Sequence, residues 1–145
     1  MKTRVLLAAL LLTTSTTFAV ALAGADNFDS LKDEDRKAMQ ERFAKELWPL
    51  MTRNDKEGCV GCHAQAKTRG QMRMTGDLEK DFRKLVKEGF FIPNDSGSIL
   101  AHVASKDGKQ RMPPPGKGKA WTKEEIEVLQ KFVVDLDKKQ QKKVK

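Results

Sequence analysis

The chain predicts an all-α fold of three to five helices. Apolar residues recur at three- and four-residue steps in separate segments, proline and glycine cluster between those segments, and no segment reads as a strand.

The elements follow in order. Lys2 and Arg4, the apolar run Val5 to Leu12 and the small-x-small site Ala21-Leu22-Ala23 have the layout of an export signal over residues 1–23. Thr13 to Thr17 interrupts the apolar run, which argues against a retained membrane span, and no cysteine stands at the cleavage site to carry a lipid. Cleavage after Ala23 is expected, leaving 122 of the 145 residues, enough for one domain with a core of its own. Residues 24–36 are expected to be a flexible lead-in, 37–137 the domain, and 138–145, with five lysines, a basic tail at a frayed helix end.

Met39, Phe43, Leu47 and Leu50 form the apolar stripe of a first helix that runs to about Trp48, where Pro49 should end or bend it because proline lacks an amide hydrogen. Thr52 to Gly58 reads as a charged loop. Asp77 can cap a second helix with Leu78, Phe82, Leu85 and Val86 on one side, stopped by Gly89. Phe90-Phe91-Ile92, followed by Pro93, is expected to be a buried covering loop. Asp95 or Ser96 is expected to cap a short helix holding Ile99, Leu100 and Val103. Lys106 to Lys119 holds three prolines and three glycines and should be an irregular, stiff loop centred on Met112. Thr122-Lys123-Glu124-Glu125 is a capping box that opens the last helix, whose seam is Ile126, Leu129, Val133 and Leu136.

Chemistry concentrates in Cys59-Val60-Gly61-Cys62-His63, which holds both cysteines and one of the two histidines. C-x-x-C-H is the attachment signature of c-type haem: thiols one helical turn apart can add to the two vinyl groups, and the adjoining imidazole can reach the iron. Other uses of the residues fit less well. A thioredoxin-like pair needs a βαβ context and no histidine. Zinc would need Cys59, Cys62, His63 and His102 together, with Cys62 and His63 strained as adjacent ligands. A plain disulfide and two buried thiols are the remaining readings. With 6% aromatic residues and no tyrosine, the chain suits a core partly filled by a porphyrin. A single motif means one covalent haem c.

If haem is bound at Cys59 and Cys62, His63 is the proximal ligand. Met112 is the favoured distal ligand, since a thioether is a weak donor that needs a stiff support and Arg111-Met112-Pro113-Pro114-Pro115 supplies one. His102 is the alternative, with a vacant site a third possibility. Met72 and Met74 lie too soon after the motif to cross to the far side.

These residues in this order resemble a small bacterial single-haem class I c-type cytochrome, over about Phe43 to Leu136. The resemblance implies a cytochrome c-like bundle around the haem and a crossing of first and last helices, with Ala44 and Trp48 facing Phe132 or Val133. It also implies a propionate contact for Trp121 as an alternative to a packing role. The stretch between Trp48 and Cys59 is longer than the family pattern.

The expected function is that of an exported, periplasmic electron carrier and not an enzyme. The alternatives are a peroxidase-like enzyme or ligand sensor with an open or displaceable sixth site, in which His102 would be the distal polar group, and a haem subunit of a larger oxidoreductase. Charge falls from +8 to +6 when Lys2 and Arg4 are lost. Lys67, Arg69 and Arg73, with Lys109, Arg111, Lys117 and Lys119, would form a basic border that steers acidic redox partners or simply a solvated face. Nucleic-acid binding is not expected, nor a membrane span after cleavage, and the protein is expected to be a monomer.

Overall fold

The computed structural model describes residues 28–53, 58–64 and 72–142, and these contain helices and turns with no strand. The expected signal at 1–23, together with Lys67 and Arg69, lies outside the described residues.

α1 spans Asp33–Arg42, continues through a π-helical segment, Phe43–Leu47, and runs on as α2, Trp48–Met51. Pro49 therefore does not end the helix. The widened turn just before it takes up the change in hydrogen-bond register that a residue without an amide hydrogen imposes. Three acidic residues, Asp33, Glu34 and Asp35, occupy the first turn of α1, where the helix dipole favours negative charge.

The expected lead-in is corrected over residues 28–36. Phe28 and Leu31 are buried, the Phe28 ring meets Phe82 edge-on at 6.0 Å, and Arg36 and Arg83 stack over Phe28 at 4.9 and 5.4 Å. Two isolated apolar residues in a polar run thus extend the core.

α3 is Cys59–His63, α4 is Leu78–Lys87, α5 is Ile99–Ala104 and α6 is Lys123–Gln141. α4 opens with the Asp77 carboxylate accepting from the Lys80 amide and closes at Gly89, whose φ of 77° lets Gly89 N–H reach Val86 O and Phe90 N–H reach Leu85 O. The loop beyond sends Phe91 into the core. The cap of α5 is Ser98 and not Asp95 or Ser96: its hydroxyl accepts from Ala101 N–H at 3.2 Å, while Asp95 Oδ1 is occupied by Gly97 N–H at 2.7 Å.

The core joins the π segment to α4 and α6. Phe43 lies 5.2 Å from Phe82 and 6.2 Å from Phe132, and Phe91 lies 5.3 Å from Phe132. Phe43, and not Ala44, makes the crossing with Phe132. Ala44 borders a surface groove beside Lys37, Glu41 and Leu78. The π turn advances the register and rotates Phe43 inward.

Ion pairs hold α1 against α6. Arg42 binds both oxygens of Glu46 and reaches Asp135 at 3.0 Å, and Lys139 pairs with Asp35. α6 carries on through Lys138 and Lys139 to Gln141, so the first residues of the expected tail are helical, and 143–145 lie outside the described residues.

Candidate functional site

α3 brings Cys59 and Cys62 to one helix face, because residues three apart stand one above the other. It leaves the end of α2 through Gly58, where a Cβ would stand 2.5 Å from Met51 O and 2.8 Å from Arg53 O. Only glycine allows that approach. Cys59 is partly buried and Cys62 exposed, and neither is in a disulfide. Burial pushes the Cys59 thiol up to about 11, although the nearby Arg53 cation acts in the opposite direction.

The imidazole of His63 is oriented by the backbone that follows. Its Nδ1 lies 2.9 Å from Met72 O. A carbonyl only accepts, so Nδ1 carries the ring proton and Nε2 presents its lone pair. Metal-binding histidines are held in this way. Met74 N–H also donates to His63 O at 3.2 Å.

A cavity of about 250 Å³ opens beside α3, with walls from Cys59, His63, Met72, Phe90, Gly97, Ile99, His102, Val103 and Met112. A smaller one of about 30 Å³ adjoins it and shares Cys59, His63 and Met112, adding Gly58, Cys62, Pro113, Pro114, Lys117 and Trp121. The predicted residues Cys59, Cys62, His63 and Met112 are therefore brought together. His102 joins them in the larger cavity. Met74 instead is buried in the core, and Met72 contributes both a wall and the carbonyl that holds His63.

The Met112 loop is tied to α5 from both sides. Met112 N–H donates to His102 O at 3.1 Å, and His102 Nδ1 lies 2.8 Å from Gln110 O. By the same carbonyl argument, the second imidazole also keeps Nε2 as its bare nitrogen. Trp121, 8% exposed, stacks under Arg53 at 5.7 Å, and Arg53 pairs with Glu125 at 2.8 Å. This links the mouth of α3 to the capping box of α6.

Compared with protein-family models, curated proteins and solved structures, the chain matches none. The site therefore has to be judged on its own donors.

Zinc does not suit them, because among the described residues no three His, Cys, Asp or Glu side chains converge as a metal ion requires. The two adjoining cavities bring together two thiols on one helix face, an imidazole with its Nδ1 engaged, a thioether from another element and apolar walls. Arg111, next to Met112, holds a buried Nε with no hydrogen-bond acceptor among the described residues, a donor that a carboxylate would satisfy.

Sequence reasoning missed two contributors. The Met72 carbonyl has no side-chain signature. Asp81, fully buried in α4, is the other: nothing in the helix pattern marks its carboxylate as buried, and the Thr75-Gly76 pair that precedes its helix was the available sign.

Proposed function

We propose that this protein is an exported monohaem c-type cytochrome that carries single electrons, with one haem c attached through Cys59 and Cys62 and ligated by His63 and Met112. The observation that carries the reading is that His63 and Met112, remote in sequence, both line the two adjoining cavities at Cys59.

Bound haem supplies a one-electron couple. The chain's own residues do the rest. The Met72 carbonyl holds the Nδ1 proton of His63 and so directs Nε2 away from it. The Met112 thioether, a soft donor, would favour ferrous over ferric iron and raise the potential. Phe90, Ile99 and Val103 give one side of the larger cavity an apolar wall. Held by His63 and Met112 together, haem would have no place left for substrate, and the chemistry it would supply is outer-sphere transfer of single electrons. Arg73, Lys109, Lys117 and Lys119 are exposed on the segments bordering the cavities, where they suit an acidic partner. Among the described residues no helix is long and apolar enough to cross a membrane.

A second reading is favoured by one observation. His102 lines the larger cavity with its Nδ1 engaged by Gln110 O, so it could ligate iron itself or assist a bound ligand in a sensor or peroxidase-like site. Absorption and low-temperature magnetic resonance spectra separate the two. Under the carrier reading the parent shows a His/Met signature that Met112→Ala abolishes and His102→Ala preserves. A bis-histidine signature lost in His102→Ala, or rapid carbon monoxide binding by the ferrous parent, contradicts it.

A further inference from the structure

Asp81 is, among the described residues, the only charged side chain in the fully buried class. A carboxylate leaves water at a cost that only replacement donors offset. Three neutral donors do so here. Oδ1 accepts from the Thr75 amide at 2.7 Å and the Thr75 hydroxyl at 2.9 Å, and Oδ2 accepts from the Gly76 amide at 2.9 Å. Asp77 N–H donates to the Thr75 hydroxyl oxygen at 3.1 Å, which leaves that hydroxyl's own proton for Asp81. Gly76 has φ of 81°, a conformation glycine adopts without strain.

The segment gripped in this way is the one that holds His63. Residues 72–76 run from the Met72 carbonyl, which takes the Nδ1 proton of His63, through buried Met74, whose amide binds His63 O, to the two residues on Asp81. The far end of the strap is thus fixed to α4 and the near end to the imidazole. The link from the Asp81 carboxylate to the ring is one continuous stretch of backbone.

We propose that Asp81 is the positioning residue for the His63 imidazole, fixing through residues 72–76 the carbonyl that sets its tautomer, its direction and its strength as a donor. The proposal rests on the reading in which His63 binds haem iron. Groups beyond the ligands that orient a metal-bound histidine tune the metal as well as hold it.

The test uses the haem-loaded protein and reads the exchange rate of the His63 Nδ1 proton by nuclear magnetic resonance and the midpoint potential. In Asp81→Asn an amide hydrogen faces a donor that an oxygen had accepted, so the strap loosens. The expected result is Nδ1 exchange faster by about tenfold and a potential higher by about 59 mV, a tenfold change in the one-electron equilibrium. The sign follows because an imidazole with a weaker Nδ1 hydrogen bond donates less to ferric iron. Thr75→Val removes one of the three bonds at an exposed residue and shifts both readings the same way by less, which keeps the test valid if Asp81→Asn folds poorly. Leu136→Ala, a core truncation in α6, lowers stability and leaves both readings unchanged. Loss of stability alone in Asp81→Asn and Thr75→Val, with exchange and potential as in the parent, overturns the proposal. A parent protein without covalent haem overturns the reading of His63 itself and the proposal with it.

Discussion

His63 and Met72 are joined by a hydrogen bond of 2.9 Å from ring nitrogen to carbonyl oxygen, across the segment that leaves the C-x-x-C-H helix. The contact fixes which nitrogen of the imidazole is bare. It also shows why the residues after the motif matter to the site although none of their side chains was a ligand candidate on the near side. The chain returns past His63, and its backbone does the holding.

Gly58 sits where any side chain would strike backbone. A Cβ would come within 2.9 Å of three main-chain atoms of Met51 and Arg53, none of which can move aside as a flexible side chain could. Gly58→Ala is expected to cost about 2 kcal/mol, the scale of overpacking a tight site. It should also displace α3 and reduce haem attachment. Thermal unfolding and the ratio of haem absorbance to protein measure the two effects.

Phe43 and Ala44 should respond in opposite ways. Phe43 is fully buried among Trp48, Phe82, Phe91 and Phe132, so Phe43→Ala is expected to lose about 4 kcal/mol, as large aromatic truncations in cores do. Ala44→Ser, in the surface groove, is expected to change stability by less than about 0.5 kcal/mol. Denaturant unfolding of both variants is the check. Equal losses would mean that the crossing uses Ala44 after all.

Those two positions also show where the sequence was readable and where it was not. The Thr122 box and the Asp77 cap were legible because each is a local device: Glu125 N–H reaches Thr122 Oγ1 at 3.3 Å, Thr122 N–H reaches Glu125 Oε2 at 2.7 Å, and Lys80 N–H reaches Asp77 Oδ1 at 3.0 Å. That His63 and Met112 line the same cavities agrees with pairing the stiff proline loop with the C-x-x-C-H helix on sequence grounds. The π turn was not, since Met39, Phe43 and Leu47 keep a helical apolar spacing straight through it. Its effect, a rotation that puts Phe43 and not Ala44 at the crossing, depends on Pro49 and on contacts far along the chain. Asp81 was missed for a related reason: a carboxylate on a helix reads as solvated until its tertiary donors are known.

Acid should weaken the joint between α6 and the mouth of α3. Burial acts to raise the Glu125 carboxyl, but the Thr122 amide and the Arg53 guanidinium outweigh it and hold the group below its ordinary 4.5. A carboxyl lowered in the folded state contributes stability that is complete above its unfolded pKa and lost as pH falls through the folded one. Glu125→Gln should therefore be less stable than the parent at about pH 7, with the gap closing as the pH falls below 4.5 and through the lowered folded value, as urea unfolding over that range would show. A gap that stays constant would mean the charge of Glu125 contributes nothing.

The proposed covalent attachment of haem at Cys59 and Cys62 underlies the rest, and the mass of the protein produced in cells able to mature c-type haem measures it most directly. Thioether formation adds each thiol across a vinyl group and loses no atoms. The expected mass is the polypeptide plus one whole haem, falling to the bare polypeptide in Cys59→Ala/Cys62→Ala. A parent protein at bare polypeptide mass, or two hydrogens lighter with the cysteines joined as a disulfide, would contradict the account.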